Sequence, residues 1–168
     1  MSENIESGST PSRRSALRLG AATAATAAAA VGLSALGTPS ALAAASSGPQ
    51  PGLNGQRVKV PGNGAVFLIM DGYRRWIPNP ATYDSLFRNW SGIVSDTGVI
   101  NIPEGTALTS GATLGRAQGG TAVYLFSNGT KRWVTSPAAM DKYYFNWNRV
   151  VTLPAVTVDS VPTGASLS

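Results

Sequence analysis

The residues best suited to chemistry lie in two short runs of one design, Gly72-Tyr-Arg-Arg-Trp76 and Gly129-Thr-Lys-Arg-Trp133. A cation beside an exposed indole can hold a sugar ring, a polyanion or an acidic protein surface through stacking and charge. Arg74, Arg75, Trp76, Lys131, Arg132 and Trp133 are therefore the candidate binding residues. In a strand, Arg75 shares a face with Tyr73 and Ile77, and Arg74 shares the other with Trp76; Lys131 and Trp133 repeat the second arrangement. The competing expectation is structural. The tryptophans then plug the core, while the cations stay solvated or bridge to Asp84 and Asp141. Because the run recurs at a position that every packing unit needs, the sequence favours structural tryptophans and leaves the cations as the part able to touch a partner. Trp90 and Trp147 follow at matching places and read still more strongly as helix anchors in the core.

Other chemistry is narrowed by composition. The chain of 168 residues has no cysteine and no histidine. That removes disulfide frameworks, thiolate nucleophiles, zinc sites built on Cys or His, and Ser-His-Asp machinery. It holds no phosphate-cradling glycine loop and no EF-hand, so neither a cofactor nor a metal is expected. Beyond the leader described below the carboxylates are Asp71, Asp84, Asp96, Glu104, Asp141 and Asp159. A glycan-acting enzyme needs two of them close together in opposed environments. Asp71 is explained by a turn, Asp84 and Asp141 by helix starts favourable to the dipole, and the others fall in loops. An enzyme is thus the least favoured class.

The two runs sit inside longer stretches, 66–81 and 123–138, which align without a gap at a spacing of about 57 residues. The register continues through Asp84 and Asp141, Trp90 and Trp147, to Ile93 and Val150. Residues 57–60 alternate as a strand, and 65–70 form an apolar run rich in β formers. Asp71-Gly72 and Asn128-Gly129 are the dipeptides of a two-residue hairpin turn, which requires φ > 0 at both positions. Asn79 and Ser136 each precede a proline, the N-cap then N1 arrangement of a helix start, predicting short helices over 81–90 and 138–147. Strands at 93–94 and 150–153 follow, and each copy closes on Pro-x-Gly, at Pro103 and Pro162. The predicted fold is α+β, mainly β. It consists of two tandem strand–hairpin–short helix–strand units, about 55–109 and 112–168, packed with pseudo-twofold symmetry around one core, since one hairpin cannot bury both faces alone.

The stretch ahead of the repeats reads as an export leader. Ser12-Arg13-Arg14-Ser15 opens an Ala-rich stretch, and small residues at 41–45 suit cleavage after Ala43 or Ala45. The paired Arg13 and Arg14 resemble a twin-arginine signal, although Ala16 stands where that signal has Phe, which leaves the general secretory route open. Residues 1–45 are thus expected to be a signal peptide, 46–53 a flexible mature N-terminus, and 54–168 a single domain. No stable membrane span is expected after cleavage. The chain carries a formal charge of +5, and Arg13, Arg14 and Arg18 with Glu3 and Glu6 fall in the leader. The remaining excess of about +4 is spread along the chain and favours an anionic partner only mildly, with no sign of specific nucleic-acid binding.

The repeat resembles short tandem repeats of secreted and surface proteins of actinobacteria and other bacteria. Their pattern is a Val-Tyr-Leu strand, a Gly turn, Lys-Arg-Trp/Ile, a Pro-Ala helix start and a closing Pro-x-Gly. The resemblance covers the chain from about Gln56 onward. It departs from the pattern at Met70 and at Tyr143-Tyr-Phe145, where the first copy has Leu86-Phe87-Arg88. It implies an extracellular or cell-wall location and a modular, non-enzymatic role, and it transfers no ligand or catalytic residue. The expected function is an exported binding module for a cell-wall glycan, a polyanion or an extracellular protein. A secreted inhibitor or partner-binding protein is the alternative, favoured if 95–103 forms a rigid exposed loop.

Overall fold

The computed structural model describes residues 48–168, so the expected export signal, with Arg13, Arg14, Ala43 and Ala45, lies outside the described residues. The fold is mixed, with most of its regular structure in two four-stranded sheets and only short helices. In the first sheet β1 (Arg57–Lys59), β2 (Val66–Met70), β3 (Tyr73–Trp76) and β4 (Val94–Ser95) lie in the order β3-β2-β1-β4. The second sheet contains β5 (Thr113–Ala117), β6 (Val123–Ser127), β7 (Thr130–Val134) and β8 (Val151–Leu153), in the order β7-β6-β5-β8. In both, the first three strands in sequence are antiparallel and the last joins parallel to the first.

Local chemistry explains these elements. Asp71 and Gly72 have φ of 58° and 80°, and Asn128 and Gly129 have 54° and 67°, so both predicted turns form. The turns fix the registers: Leu68 faces Arg75 as Leu125 faces Arg132, and Phe67 faces Trp76 as Tyr124 faces Trp133. The closing Pro-x-Gly segments extend each hairpin edge. Arg74 N donates to Pro103 O at 3.0 Å, and Lys131 N to Pro162 O at 2.8 Å. An edge that would otherwise expose unpaired amides is thereby covered.

Helix starts follow the sequence, but helix ends do not. The side chains of Asn79 and Ser136 accept from Thr82 N and Ala139 N, each with proline at N1. The helices α1 (Pro80–Leu86) and α2 (Pro137–Lys142) then stop well short of the predicted 90 and 147. Pairing between the repeats stops them. Phe87 bridges antiparallel to Phe145, Arg88 N donates to Tyr144 O, and Asn146 N donates to Leu86 O. Backbone groups that would have continued the helices are used across the interface instead. A third helix, α3 (Ala155–Ser160), was not evident in its β-branched sequence; it buries Val158 against the second sheet.

One apolar cluster takes side chains from both sheets, including Leu68, Tyr83, Leu86 and Phe87 from the first repeat and Leu114, Leu125, Tyr143 and Phe145 from the second. A smaller cluster of Val58, Ile69, Val99 and Ile102 covers the far face of the first sheet. Residues 50–53, expected to be flexible, are part of the fold. Gln50 N donates to Gly72 O at 2.8 Å, and Pro51–Leu53 makes a 3-10 turn.

Candidate functional site

The structure reverses the expected roles within the Arg/Lys-Arg-Trp runs. Lys131 and Arg132 are 7% and 9% exposed, whereas Trp76 and Trp133 are 42% and 44% exposed. Trp90 and Trp147, expected in the core, are 46% and 48% exposed. Tyr83, Phe87, Tyr143 and Phe145 already fill the volume between the sheets, and the early helix ends carry both later tryptophans out of it.

The cations have partners within the fold, and not those expected. Arg132 forms a bidentate pair with Asp71, at 2.8 and 2.7 Å, and its Nε donates to Ala165 O. Arg75 reaches the same carboxylate at 3.0 Å and also donates to Thr106 O. Lys131 Nζ donates to Val158 O in the last turn of α3, where a cation suits the helix dipole. Arg74 pairs with Glu104 at 3.2 Å, and its guanidinium lies 5.3 Å from the Phe67 ring centroid. Asp84 and Asp141 serve other groups, accepting from Trp90 Nε1 and Arg88 respectively. The arginines around Asp71, Arg132 foremost, hold its carboxyl below the usual carboxylate range.

The exposed tryptophans wall two clefts built from corresponding residues. The first, about 260 Å³, is lined by 64–66 at the start of β2, 76–80 from the end of β3 into α1, Tyr83 and Trp90. The second, about 230 Å³, is lined by 121–123, 133–137 and Trp147. Every lining position of the second corresponds to one of the first at the repeat spacing. Neither lining contains a charged residue. Such a cleft suits an uncharged ligand with an apolar face and is small for a drug-sized molecule, since those pockets run from about 300 Å³ upward.

The first cleft has a support that the sequence did not disclose. Arg57 is 4% exposed, and its Nη1 donates to Tyr83 Oη at 2.5 Å and Asn89 O at 3.0 Å, while Nη2 donates to Ser91 O at 2.8 Å. Its guanidinium lies 3.7 Å from the Tyr144 ring centroid, and Tyr144 holds φ at +57°. Tyr83 donates in turn to Asn89 O, and burial pushes its phenol above the usual range, keeping that proton in place. A signal for Arg57 was available. The gapless alignment sets it against Leu114, a cation against an apolar residue in the same strand.

Among the described residues there is no group of His, Cys, Asp or Glu able to hold a metal ion, and no helix is long and apolar enough to cross a membrane. Five of the six described carboxylates have identified structural partners, with Asp96 capping a 3-10 turn through Gly98 N. No protein-family model, no curated protein and no solved structure matches the chain.

Proposed function

We propose that the chain is an exported, non-catalytic, two-repeat module that binds an extracellular or cell-wall glycan through its paired tryptophan clefts. The observation that carries this reading is the recurrence of one uncharged cleft, walled by two half-exposed indoles, at corresponding places in both repeats. An exposed indole costs solubility without stabilising the core, whereas its face packs well against the C–H face of a sugar ring. Shared strand order and register support the proposal that the two units are related by approximate twofold symmetry. The non-catalytic part is supported by carboxylates committed to turns, caps and ion pairs. Export rests on the leader sequence, and the resemblance to secreted bacterial repeats agrees with it.

A polyanion fits less well, because the cations of both Arg/Lys-Arg-Trp runs are engaged within the fold. Within 95–103, Val99 and Ile102 pack onto the first sheet, which takes from the inhibitor reading its projecting rigid loop. The test is retention of the protein on purified cell-wall polysaccharide at low and at high salt. Retention that survives about 0.5 M salt agrees with uncharged clefts, since exposed charge pairing is screened within about 3–10 Å at such ionic strength. Elution by salt alone would return the binding role to the cations.

A further inference from the structure

The two clefts share their lining but not their support. In the first, Trp90 stacks on Tyr83 with ring centroids 3.9 Å apart and planes 21° from parallel. Its Nε1 is fixed by Asp84 Oδ1 at 2.8 Å. The carbonyls on either side of it, Asn89 O and Ser91 O, are both held by Arg57. In the second, Met140 stands where the first has Tyr83, and Asp141 is turned to Arg88. Among the described residues the Trp147 indole N–H has no acceptor, and Leu114 replaces Arg57.

Packing does not explain Arg57. Leu114 is 0% exposed at the corresponding strand position, so leucine suffices for the core there. A buried guanidinium without a carboxylate partner is costly to keep, since its desolvation is offset here by neutral oxygens and the faces of Tyr144 and Phe87 alone. What it secures is the backbone on both sides of an exposed indole. A fixed recognition surface binds more tightly because less freedom is lost on binding.

We propose that the cleft of the first repeat is the protein's primary saccharide subsite, a preformed slot for one uncharged pyranose ring. Arg57 is the positioning residue that preforms it by clamping the carbonyls flanking Trp90. The second cleft, whose Trp147 indole N–H lacks an acceptor among the described residues and whose backbone is held by a 3-10 turn, Arg149 N donating to Asn146 O at 3.0 Å, is the weaker and more adaptable subsite, and a polymer that reaches both is held chiefly by the first. This rests on the glycan reading above.

The experiment has one arm without ligand and one with it, both on the full chain. Indole N–H relaxation on protein labelled with nitrogen-15 should give Trp90 an order parameter near about 0.85, and Trp147 a clearly lower one. Arg57→Leu should lower Trp90 to the level of Trp147 while the other amide signals stay dispersed, and Arg57→Lys should restore part of the difference. If Arg57→Leu fails to fold, Asp84→Ala, at an exposed carboxylate, serves instead and should loosen the Trp90 indole. In the second arm cellohexaose, maltohexaose and N-acetylchitohexaose are titrated calorimetrically. Trp90→Ala should weaken the best of them about tenfold or more, and Trp147→Ala by less than about threefold. Equal losses, or a Trp147 indole as rigid as Trp90, overturn the inequality and leave the glycan reading standing. No binding of any probe by the unaltered chain, together with none to cell-wall polysaccharide, overturns that reading and the proposal with it.

Discussion

Asp71 and Arg132, 61 residues apart, are joined by two N–H···O bonds of 2.8 and 2.7 Å. The pair ties the first hairpin turn to the second hairpin, and Arg75 reaches the same carboxylate from its own strand. A fork of this kind fixes direction as well as distance. The second repeat has Asn128 in place of Asp71 and sends its side-chain amide to Ala107 O instead. The carboxylate thus serves the repeat interface once, from one side.

Asp71→Asn should destabilise the protein by about 1–2 kcal/mol, the range for losing a charged hydrogen bond at a partly exposed site. The pH dependence has a definite sign. The folded carboxyl titrates below its unfolded value, so its stabilisation is present above about pH 4 and is lost as pH falls through the folded value. The difference in melting temperature between the two proteins should therefore be smaller at about pH 3 than at about pH 6. A constant gap would show that the pair is not what the carboxylate supplies.

The two turn glycines should differ. Both have positive φ, so any side chain costs roughly 1 kcal/mol from the backbone alone. A methyl group on Gly72 would also lie 2.5 Å from Gln50 N, whereas one on Gly129 meets nothing within 4 Å. Gly72→Ala should lower the denaturation midpoint clearly more than Gly129→Ala, and should free residues 49–53 to early proteolysis. Equal midpoints would mean that the N-terminal segment does not pack on the turn.

Lys131→Met keeps a side chain of similar length but removes the ammonium, which donates to Val158 O and lies 5.6 Å from the Tyr124 ring centroid. A loss of about 1.5–3 kcal/mol is expected from that charged hydrogen bond, with hydrogen exchange in α3 accelerated before that of the sheets. Exchange that rises evenly over the whole chain would contradict a local tether.

What could be read from the sequence was local. Asp71-Gly72, Asn128-Gly129, Asn79-Pro80 and Ser136-Pro137 each act over two to four residues, and each formed the expected turn or cap. The helix ends depended on Phe87 meeting Phe145, a contact that no window around either residue contains. The tryptophans recur without being packed, half-exposed at all four positions. A recurring indole can equally mark a recurring surface, and only the filling of the core by Tyr83, Phe87, Tyr143 and Phe145 decides between the two. The Arg57 clamp spans 32 and 34 residues to its carbonyls, and its trace in the sequence was the mismatch with Leu114. Charge-rich runs drew attention to residues whose charges are used internally.

The exposed tryptophans should be nearly dispensable for folding. Half-exposed side chains away from the core change stability by about 0.5 kcal/mol in most cases, so Trp76→Ala and Trp133→Ala should melt close to the unaltered protein. Phe145→Ala, by contrast, empties a fully buried site and should cost about 3–5 kcal/mol. Denaturant curves of these variants separate the surface indoles from the core aromatics.

The most direct measurement of the central claim is binding of the Trp76→Ala/Trp133→Ala double variant to cell-wall polysaccharide, beside Arg74→Ala and the unaltered chain. One tryptophan leaves each cleft, and Arg74 is the cation of the first run held by an exposed ion pair. The double variant should bind about tenfold more weakly or worse with its melting temperature little changed, while Arg74→Ala binds as the unaltered chain does at every salt concentration. Undiminished binding by the double variant, with loss in Arg74→Ala that salt reproduces, would contradict the account.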